Sequence, residues 1–219
     1  MARVLITGGN RGIGLEICRQ YHERGDDVVA VCRTASDPLR ALGVRVINGI
    51  DIAEEAGAVA LGAALAGMRL DIVINNAGIL RSDNLESVDF GDMLEQYRVN
   101  AIGPLRVTRT LLGNLANGSK VGIVTSRVGS LEDNASGNNY GYRCSKAAAN
   151  MVGRNLHHDL SPRGIAVALL HPGYVATDMT GGKGVPATDA ARGLIARMDE
   201  LNVETSGRFW HAEGYLLPW

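Results

Sequence analysis

Cysteine is scarce in this sequence, and its spacing argues against a disulfide framework and against a metal site. Cys18, Cys32 and Cys144 are the three cysteines among 219 residues, and no two of them form a CxxC pair. An odd and sparse count is typical of a reducing compartment, where thiols serve as ordinary packing residues. Histidines and carboxylates show no HExxH or similar spacing either. We therefore expect neither a disulfide framework nor a bound metal.

Charge of one sign and long apolar runs are also missing. Lys+Arg number 22 and Asp+Glu 23, which leaves a net charge of -1 without a basic stripe or an acidic tail. Nucleic acids and membrane surfaces are therefore poor candidate partners. No apolar run approaches the roughly 18 residues that span a bilayer. The first predicted strand begins almost at Met1, which leaves no room for a signal peptide. We expect a cytoplasmic protein.

Glycine and aliphatic residues are abundant, and they follow a repeating order. Apolar residues make up 46% of the chain and glycine occurs 28 times. Short, almost wholly apolar runs alternate with helical patterns, as expected when helices cover both faces of a parallel sheet. The predicted strands are 3–7, 28–32, 44–48, 71–75, 120–125, 165–170 and 207–210, and the predicted helices are 13–24, 54–66, 88–116, 140–160 and 188–201. The sequence therefore predicts one α/β domain over residues 1–219, with a doubly wound sheet of about seven strands.

A glycine-rich turn, ThrGlyGlyAsnArgGlyIleGly at residues 7–14, follows the first predicted strand and opens a helix. Gly8 allows a tight turn, Gly12 lets the backbone approach a pyrophosphate, and Gly14 lets the helix pack closely on the strand. The N-terminus of the helix offers free N–H groups and a positive dipole to phosphates. The turn therefore predicts a dinucleotide site.

Arginine stands at the end of the second strand, where NAD-binding enzymes usually carry an acidic residue that binds the ribose 2′-OH. Arg33 occupies this position, and Arg11 lies within the glycine turn. A planar guanidinium can donate two hydrogen bonds to a phosphate. The two arginines favour NADP(H) over NAD, although Asp37 is close in sequence to Arg33.

A tyrosine and a lysine lie four residues apart on the predicted helix 140–160. Tyr142 and Lys146 share one face of that helix, whereas Tyr140 has no lysine at the same spacing. A nearby ammonium favours the phenolate form of a tyrosine. In carbonyl reduction, the neutral phenol gives its proton to the developing alkoxide while the nicotinamide delivers hydride. We interpret the pair as an acid/base centre.

Taken together, these motifs resemble the short-chain dehydrogenase/reductase family in their order and spacing. The resemblance is carried by the glycine turn, Asp51, AsnAsnAlaGly at 75–78, Asn100, TyrArgCysSerLys at 142–146 and ProGly at 172–173. ThrSerArgValGlySer at 125–130 and the segments SerGlyArgPheTrp and GlyTyrLeuLeuProTrp near the end of the chain are similar to the C-factor/sniffer-like carbonyl reductases. The family likeness implies a Rossmann-type fold with helices on both faces of the sheet.

The resemblance also implies roles for single residues. It makes Ser126 the hydroxyl that stabilises charge on the substrate oxygen, with Ser130 as the alternative. It gives Asn100 the role of keeping a helix irregular and holding a water, and Lys146 that of binding the nicotinamide ribose. Asp51 would lie near the adenine, although it could equally cap the helix 54–66.

The residues expected to bind the dinucleotide are Gly8, Asn10, Arg11, Gly12, Ile13, Gly14, Arg33, Asp51, Ile52, Asn76, Ala77, Gly78, Tyr142, Lys146, Pro172, Gly173, Val175 and Thr177. Among them, the resemblance places Val175 and Thr177 near the nicotinamide carboxamide and the diphosphate. His171, just before this last segment, is interpreted as a structural residue at a strand end.

The resulting hypothesis is an NADP(H)-dependent enzyme that reduces an aldehyde, ketone or quinone. Two alternatives stay open: an NAD-dependent alcohol or diol dehydrogenase, and a C-factor-like signalling protein that binds the dinucleotide without significant turnover. The family likeness further implies a homodimer or homotetramer, paired through the helices 88–116 and 140–160. Small residues on the second helix, Ala147, Ala148, Ala149 and Gly153, would allow close approach. That face could instead pack only against its own sheet.

Overall fold

A single sheet of seven parallel strands organises the computed structural model, which describes residues 1–219. The strands are β1 (Arg3–Thr7), β2 (Asp27–Cys32), β3 (Arg45–Asn48), β4 (Ile72–Asn75), β5 (Lys120–Val124), β6 (Ala166–His171) and β7 (Arg208–His211). Their order across the sheet is β3-β2-β1-β4-β5-β6-β7, and every neighbouring pair is parallel. This confirms the predicted doubly wound fold. The strand order reverses between β1 and β4, where such sheets form a ligand-binding crevice.

Seven helices cover the sheet. They are α1 (Gly12–Glu23), α2 (Asp37–Ala41), α3 (Glu55–Ala64), α4 (Phe90–Tyr97), α5 (Gly103–Thr110), α6 (Tyr140–Leu160) and α7 (Ala187–Glu200). No sequence pattern indicated α2, because its five residues are too few for an apolar period. Ser36 caps α2, because its hydroxyl accepts a hydrogen bond from the Leu39 N–H at 3.3 Å. None of the helices has the length and hydropathy needed to cross a bilayer.

Two apolar layers flank the sheet and account for the nearly continuous apolar strands. Val4 and Ile6 of β1 face the layer formed with α1 and α7. Leu5, between them, faces the layer formed with α3, α5 and α6. Successive strand residues thus point to opposite faces of the sheet, and helices cover both faces with apolar side chains.

The predicted helix 88–116 is shorter and less regular than expected, because helical backbone runs from Phe90 to Thr110 and contains a π-helical turn. A π-helical turn, Arg98–Ile102, separates α4 from α5. Pro104 stands at the start of α5 and has no N–H to donate to the preceding turn. The Asn100 side chain, within the turn, bonds to a neighbouring loop instead of pointing along the helix. Pro104 and the hydrogen bonds of Asn100 therefore account for the π-helical turn, in which Asn100 is buried.

Exposed apolar side chains lie along α4 and recur on α6. Phe90, Leu94 and Tyr97 of α4 and Met151 of α6 are exposed. In contrast, the small residues Ala149 and Gly153 of α6 are buried, and a Cβ on Gly153 would lie 2.8 Å from the Leu169 side chain of β6. Ala149 and Gly153 therefore pack towards their own sheet, whereas Ala147 and Ala148 are half-buried.

Candidate active site

A cleft of about 1160 Å³ opens at the carboxyl ends of the strands. It is lined by the loops that follow β1 through β6 and by the first turns of α6. All of the predicted cofactor-binding residues line this cleft, together with Ser126. Asn100 is absent from the wall and lies behind it. The convergence follows from topology, because parallel strands bring all of their following loops to one edge of the sheet.

The glycine turn is held in a shape that only glycine permits. Gly8 and Gly12 have φ angles of 69° and 54°, which side-chain-bearing residues rarely adopt. A Cβ on Gly14 would lie 2.2 Å from the Gly8 carbonyl oxygen and 2.4 Å from Nδ2 of Asn76. Thr7 Oγ1 accepts hydrogen bonds from the N–H groups of Asn76 and Ala77 at 3.1 and 3.2 Å. The turn is therefore locked to the loop after β4, with the N-terminus of α1 open to the cleft.

Two guanidinium groups mark the end of the cleft near β2. Arg33 follows β2 directly, and its nearest carboxylate is Asp51 at 3.8 Å. Arg11 pairs with Asp178 at 2.9 Å, and both side chains are largely exposed. Asp37 begins α2 with a fully exposed side chain and does not line the cleft. No acidic residue therefore stands at the end of β2, where it would repel a 2′-phosphate.

The sequence indicated two roles for Asp51, contact with the adenine and capping of the helix that follows, and the structure excludes the capping role. The residue at the N-cap of α3 is Glu54, not Asp51. Asp51 Oδ1 accepts a hydrogen bond from the N–H of Ala53 at 2.9 Å, within the turn that precedes the helix. The carboxylate therefore shapes this turn and leaves Asp51 and Ile52 at the wall of the cleft.

Lys146 is a buried ammonium without a carboxylate partner. Its side chain lies in the first turns of α6, only 4% exposed, and Nζ donates to the Val124 carbonyl oxygen at 2.9 Å. Burial lowers the pKa of Lys146 from 10.5 to about 8. A Cβ on Gly78 would lie 3.5 Å from Nζ, in ordinary van der Waals contact, so the loop after β4 passes directly beside the ammonium. At neutral pH the cleft thus contains a concentrated positive charge.

Tyr142 lies beside this charge, with Lys146 Nζ at 5.7 Å from the centre of its ring. Burial raises the pKa of Tyr142 to about 12, and the neighbouring Ser126 hydroxyl partly opposes the rise. With this pKa the phenol stays neutral at physiological pH. A neutral phenol is the form that can donate a proton.

The structure brings Ser126, and not Ser130, to the tyrosine. Ser126 begins the 3₁₀ turn Arg127–Gly129 and lines the cleft. Ser130 lies outside the cleft wall, because its Oγ donates to the Trp219 carbonyl oxygen at 2.9 Å and accepts from the Asp133 N–H at 3.1 Å. Ser130 therefore holds the loop after the turn, which is the turn role considered for it.

Asn100 connects three elements behind the cleft. Its Oδ1 accepts from the Ile79 N–H, and its Nδ2 donates to the Ile79 carbonyl oxygen, each at 2.9 Å. Nδ2 also donates to Ser145 Oγ at 3.0 Å. The amide therefore fastens the loop after β4 to α6 beside Lys146, and the expected irregularity of the helix at Asn100 is present as the π-helical turn.

The structure also places side chains in the cleft that the sequence analysis did not single out. Arg127 and Arg143 follow Ser126 and Tyr142 directly in the chain, and this adjacency was the available signal. Tyr174 and Met179 come from the loop after β6. His171, at the end of β6, is largely buried, which lowers its pKa to about 4 and keeps it neutral.

Comparisons with known proteins agree with this geometry. A family model described as short chain dehydrogenase matches residues 2–185. The chain is 47% identical over 228 residues to 1-hydroxy-2-glutathionyl-2-methyl-3-butene dehydrogenase of Rhodococcus sp. (strain AD45), with all of both chains covered. It is 47% identical over 154 residues to C-signal of Myxococcus xanthus, which covers 68% of this chain and 93% of that protein. The crystal structure of NADPH-bound carbonyl reductase from chicken fatty liver superimposes with a TM-score of 0.89 at 29% identity, covering 100% of this chain and 99% of that one.

Proposed function

This chain belongs to the short-chain dehydrogenase family, and we propose that it is an NADP(H)-dependent carbonyl reductase. The observation that carries the proposal is the group formed by Ser126, Tyr142 and Lys146. A neutral phenol, a hydroxyl and an unpaired buried ammonium converge at one end of a cleft that has a phosphate-binding turn at the other. A protein that only bound the dinucleotide would have no need of this combination.

The cleft fits a dinucleotide phosphate by its backbone as well as by its charge. Because a Cβ on Gly14 would meet the Gly8 carbonyl oxygen, the glycine is needed for the turn to pack closely on the start of α1. Gly12 and Ile13 at that helix N-terminus line the cleft, where their N–H groups would bind the diphosphate. Arg33 and Arg11 would hold a 2′-phosphate, and Asp51 with Ile52 would border the adenine. The likeness to a carbonyl reductase crystallised with NADPH supports the same choice of cofactor.

A nicotinamide bound in this cleft would supply the hydride for carbonyl reduction. The residues of the chain would stabilise the charge that develops on the substrate oxygen. Ser126 donates a hydrogen bond to the substrate oxygen, and Tyr142 transfers its proton to that oxygen, which completes the alcohol. The phenolate left on Tyr142 is stabilised by the Lys146 ammonium, which is mostly protonated at neutral pH. Asn100 keeps the lysine-bearing helix in place against the loop after β4.

A second candidate is the same chemistry run as alcohol oxidation. It is favoured by the full-length likeness to the Rhodococcus protein, whose name describes dehydrogenation of an alcohol carrying a glutathionyl group. In that direction, Tyr142 would accept the hydroxyl proton. The likeness to C-signal keeps a signalling role as a third possibility. Initial rates with alcohols and either oxidised dinucleotide, set against rates with carbonyl compounds and NADPH or NADH, separate the first two.

We also propose that the chain forms a homodimer through the apolar side chains Phe90, Leu94, Tyr97 and Met151. These side chains are exposed on α4 and α6, and the three on α4 line an apolar groove between the two helices. Exposed apolar patches of this kind commonly mark contacts between proteins, and a two-fold axis would pair the same surface on both copies.

The direct test is NADPH oxidation in the presence of aldehydes, ketones and quinones, followed by substitution of the acid. Tyr142→Phe keeps the ring but removes the proton donor, so we expect NADPH to bind normally and turnover to fall by about 100-fold or more. Ser126→Ala and Ser130→Ala form a matched pair. We expect the larger loss of turnover at Ser126, because Ser130 lies outside the cleft wall. Near-normal turnover by Tyr142→Phe would remove Tyr142 from the mechanism.

A further inference from the structure

The cleft is positively charged although the whole chain is not. Five cationic side chains and three carboxylates line it, whereas the chain has a net charge of -1. Each carboxylate pairs with one arginine: Asp51 with Arg33, Asp178 with Arg11, and Asp133 with Arg127. The other two cations, Arg143 and Lys146, form no salt bridge and bond to neutral groups. In the proposed function, Arg11 and Arg33 bind the dinucleotide phosphate and Lys146 supports Tyr142, which leaves Arg127 and Arg143 without an assigned role.

Arg127 is held by one edge and free at the other. It follows Ser126 directly, and its Nε donates to Asp133 Oδ2 at 2.6 Å. The backbone of Asp133 is itself held in place, because its N–H donates to Ser130 Oγ at 3.1 Å. The two terminal nitrogens of Arg127 make no hydrogen bond within the chain, and the side chain is 55% exposed. A guanidinium fixed in this way can bind a carboxylate through two parallel hydrogen bonds.

Arg143 has a different task. Its Nε donates to the Gly137 carbonyl oxygen at 2.9 Å, and its Nη2 donates to Ser136 Oγ at 2.8 Å. Its Nη1 lies 3.4 Å from the Val128 carbonyl oxygen. These contacts fasten the loop between β5 and α6, so Arg143 adds positive charge at this side of the cleft without a free guanidinium edge. Arg127 is therefore the group available to a ligand.

Apolar side chains line the same cleft. Val128 lies one residue beyond Arg127, and Tyr174 and Met179 line the cleft from the loop after β6. Tyr174 and Met179 are exposed, so their apolar surface is available to a ligand. A ligand that satisfied both features would have an apolar body and an acidic group.

We propose that Arg127 binds a carboxylate of the substrate, so that the enzyme acts on carbonyl or alcohol compounds with an apolar body and an acidic group. This inference rests on the proposed function, because it places that substrate at Tyr142 and Ser126. Arg127 then selects the substrate and takes no part in the transfer of the proton.

A pair of aldehydes that differ in charge tests the proposal: 4-carboxybenzaldehyde and methyl 4-formylbenzoate, each with NADPH. We expect wild type to prefer the acid about tenfold in kcat/KM, mainly through KM, as suits a charge-assisted hydrogen bond. Arg127→Gln should abolish the preference and Arg127→Lys should keep part of it. Added salt should reduce the preference in wild type, because the arginine is partly exposed. Arg192→Gln is the matched control, since Arg192 is also exposed and paired with an aspartate but lies on α7, outside the cleft.

Affinities separate a failure of this inference from a failure of the proposed function. Calorimetric titration of both aldehydes into the protein with NADP⁺ measures the same preference without turnover. Tighter binding of the acid that is lost in Arg127→Gln supports the inference even if neither aldehyde is reduced, and missing reduction then counts against the proposed function alone. Equal affinities, no measurable binding of the acid, or a preference unchanged in Arg127→Gln overturn the role of Arg127.

Discussion

Replacing Lys146 by methionine should make the cofactor-free protein more stable, although it removes a residue of the proposed active site. The fall in the pKa of Lys146 from 10.5 to about 8 corresponds to about 3 kcal/mol against the folded state at neutral pH, at about 1.4 kcal/mol for each pKa unit. Methionine has a similar length and no charge, so it avoids this penalty. It also loses the hydrogen bond from Nζ to the Val124 carbonyl oxygen, which offsets about 1–2 kcal/mol. We expect a net stabilisation of about 1–2 kcal/mol near neutral pH.

The pH dependence identifies the cause of this difference. Between about pH 8 and pH 10.5 the unfolded chain keeps a proton on Lys146 that the folded protein has lost. The unfolded state therefore binds more protons, and the stability of wild type rises with pH through that interval. The advantage of Lys146→Met should be fully present below about pH 8 and should disappear above about pH 10.5.

Urea denaturation of wild type and Lys146→Met, at several pH values and without dinucleotide, measures both quantities. Lys183→Met is the control, because Lys183 is exposed in the loop after β6. We expect that substitution to change the free energy of unfolding by no more than about 0.5 kcal/mol. A Lys146→Met protein that is less stable than wild type near neutral pH, with a difference that does not vary with pH, would refute the reasoning from the buried charge.

Two further predictions concern the cofactor and the assembly. Arg33→Ala should weaken NADPH binding by about tenfold and leave NADH binding nearly unaffected, because only NADPH carries the 2′-phosphate. Fluorescence titration measures both affinities, with Arg40→Ala, outside the cleft, as the control. Equal losses for both dinucleotides would contradict the phosphate site. Light scattering should report a dimer for wild type and a monomer for Leu94→Asp, while Val59→Asp, at a similar exposure of 65% against 63%, should stay dimeric; a wild-type monomer with and without NADPH would exclude the dimer.

Most of the fold was predictable because its strands are buried on both faces. The apolar run of β1 continues without polar interruption from Val4 to Ile6, and this pattern indicated a sheet covered by two helical layers. The observed strand bounds lie within one residue of the predicted ones. Apolar periodicity continues on both sides of the π-helical turn at Arg98–Ile102, so only the family resemblance at Asn100 indicated an irregular helix there. Pro104 is a second signal in the chain, because it has no N–H to donate to the preceding turn.

The candidate site was predictable to the extent that strand ends position it. Once the order of strands and loops was recognised, the glycine turn, Asn76 and Tyr142 had to meet at one edge of the sheet. The choice between Ser126 and Ser130 depended on contacts with the distant Trp219, which sequence spacing does not report. The free edge of Arg127 likewise depends on its pairing with Asp133. The rise in the pKa of Tyr142 comes from burial, which a sequence does not show, whereas the neighbouring charge of Lys146 was visible in the residue spacing.

The arrangement around Lys146 shows why a stability penalty and the proposed chemistry would go together. The Val124 carbonyl oxygen satisfies one N–H of the ammonium but leaves its positive charge uncancelled. A carboxylate in the same place would raise the pKa of Lys146 and stabilise the fold. It would also neutralise the charge that a Tyr142 phenolate requires after it has given up its proton. A buried cation held by a neutral acceptor therefore makes the fold less stable than an ion pair would, but it suits the proposed proton transfer better. Lys146→Met should make the fold more stable and remove the charge that supports the phenolate.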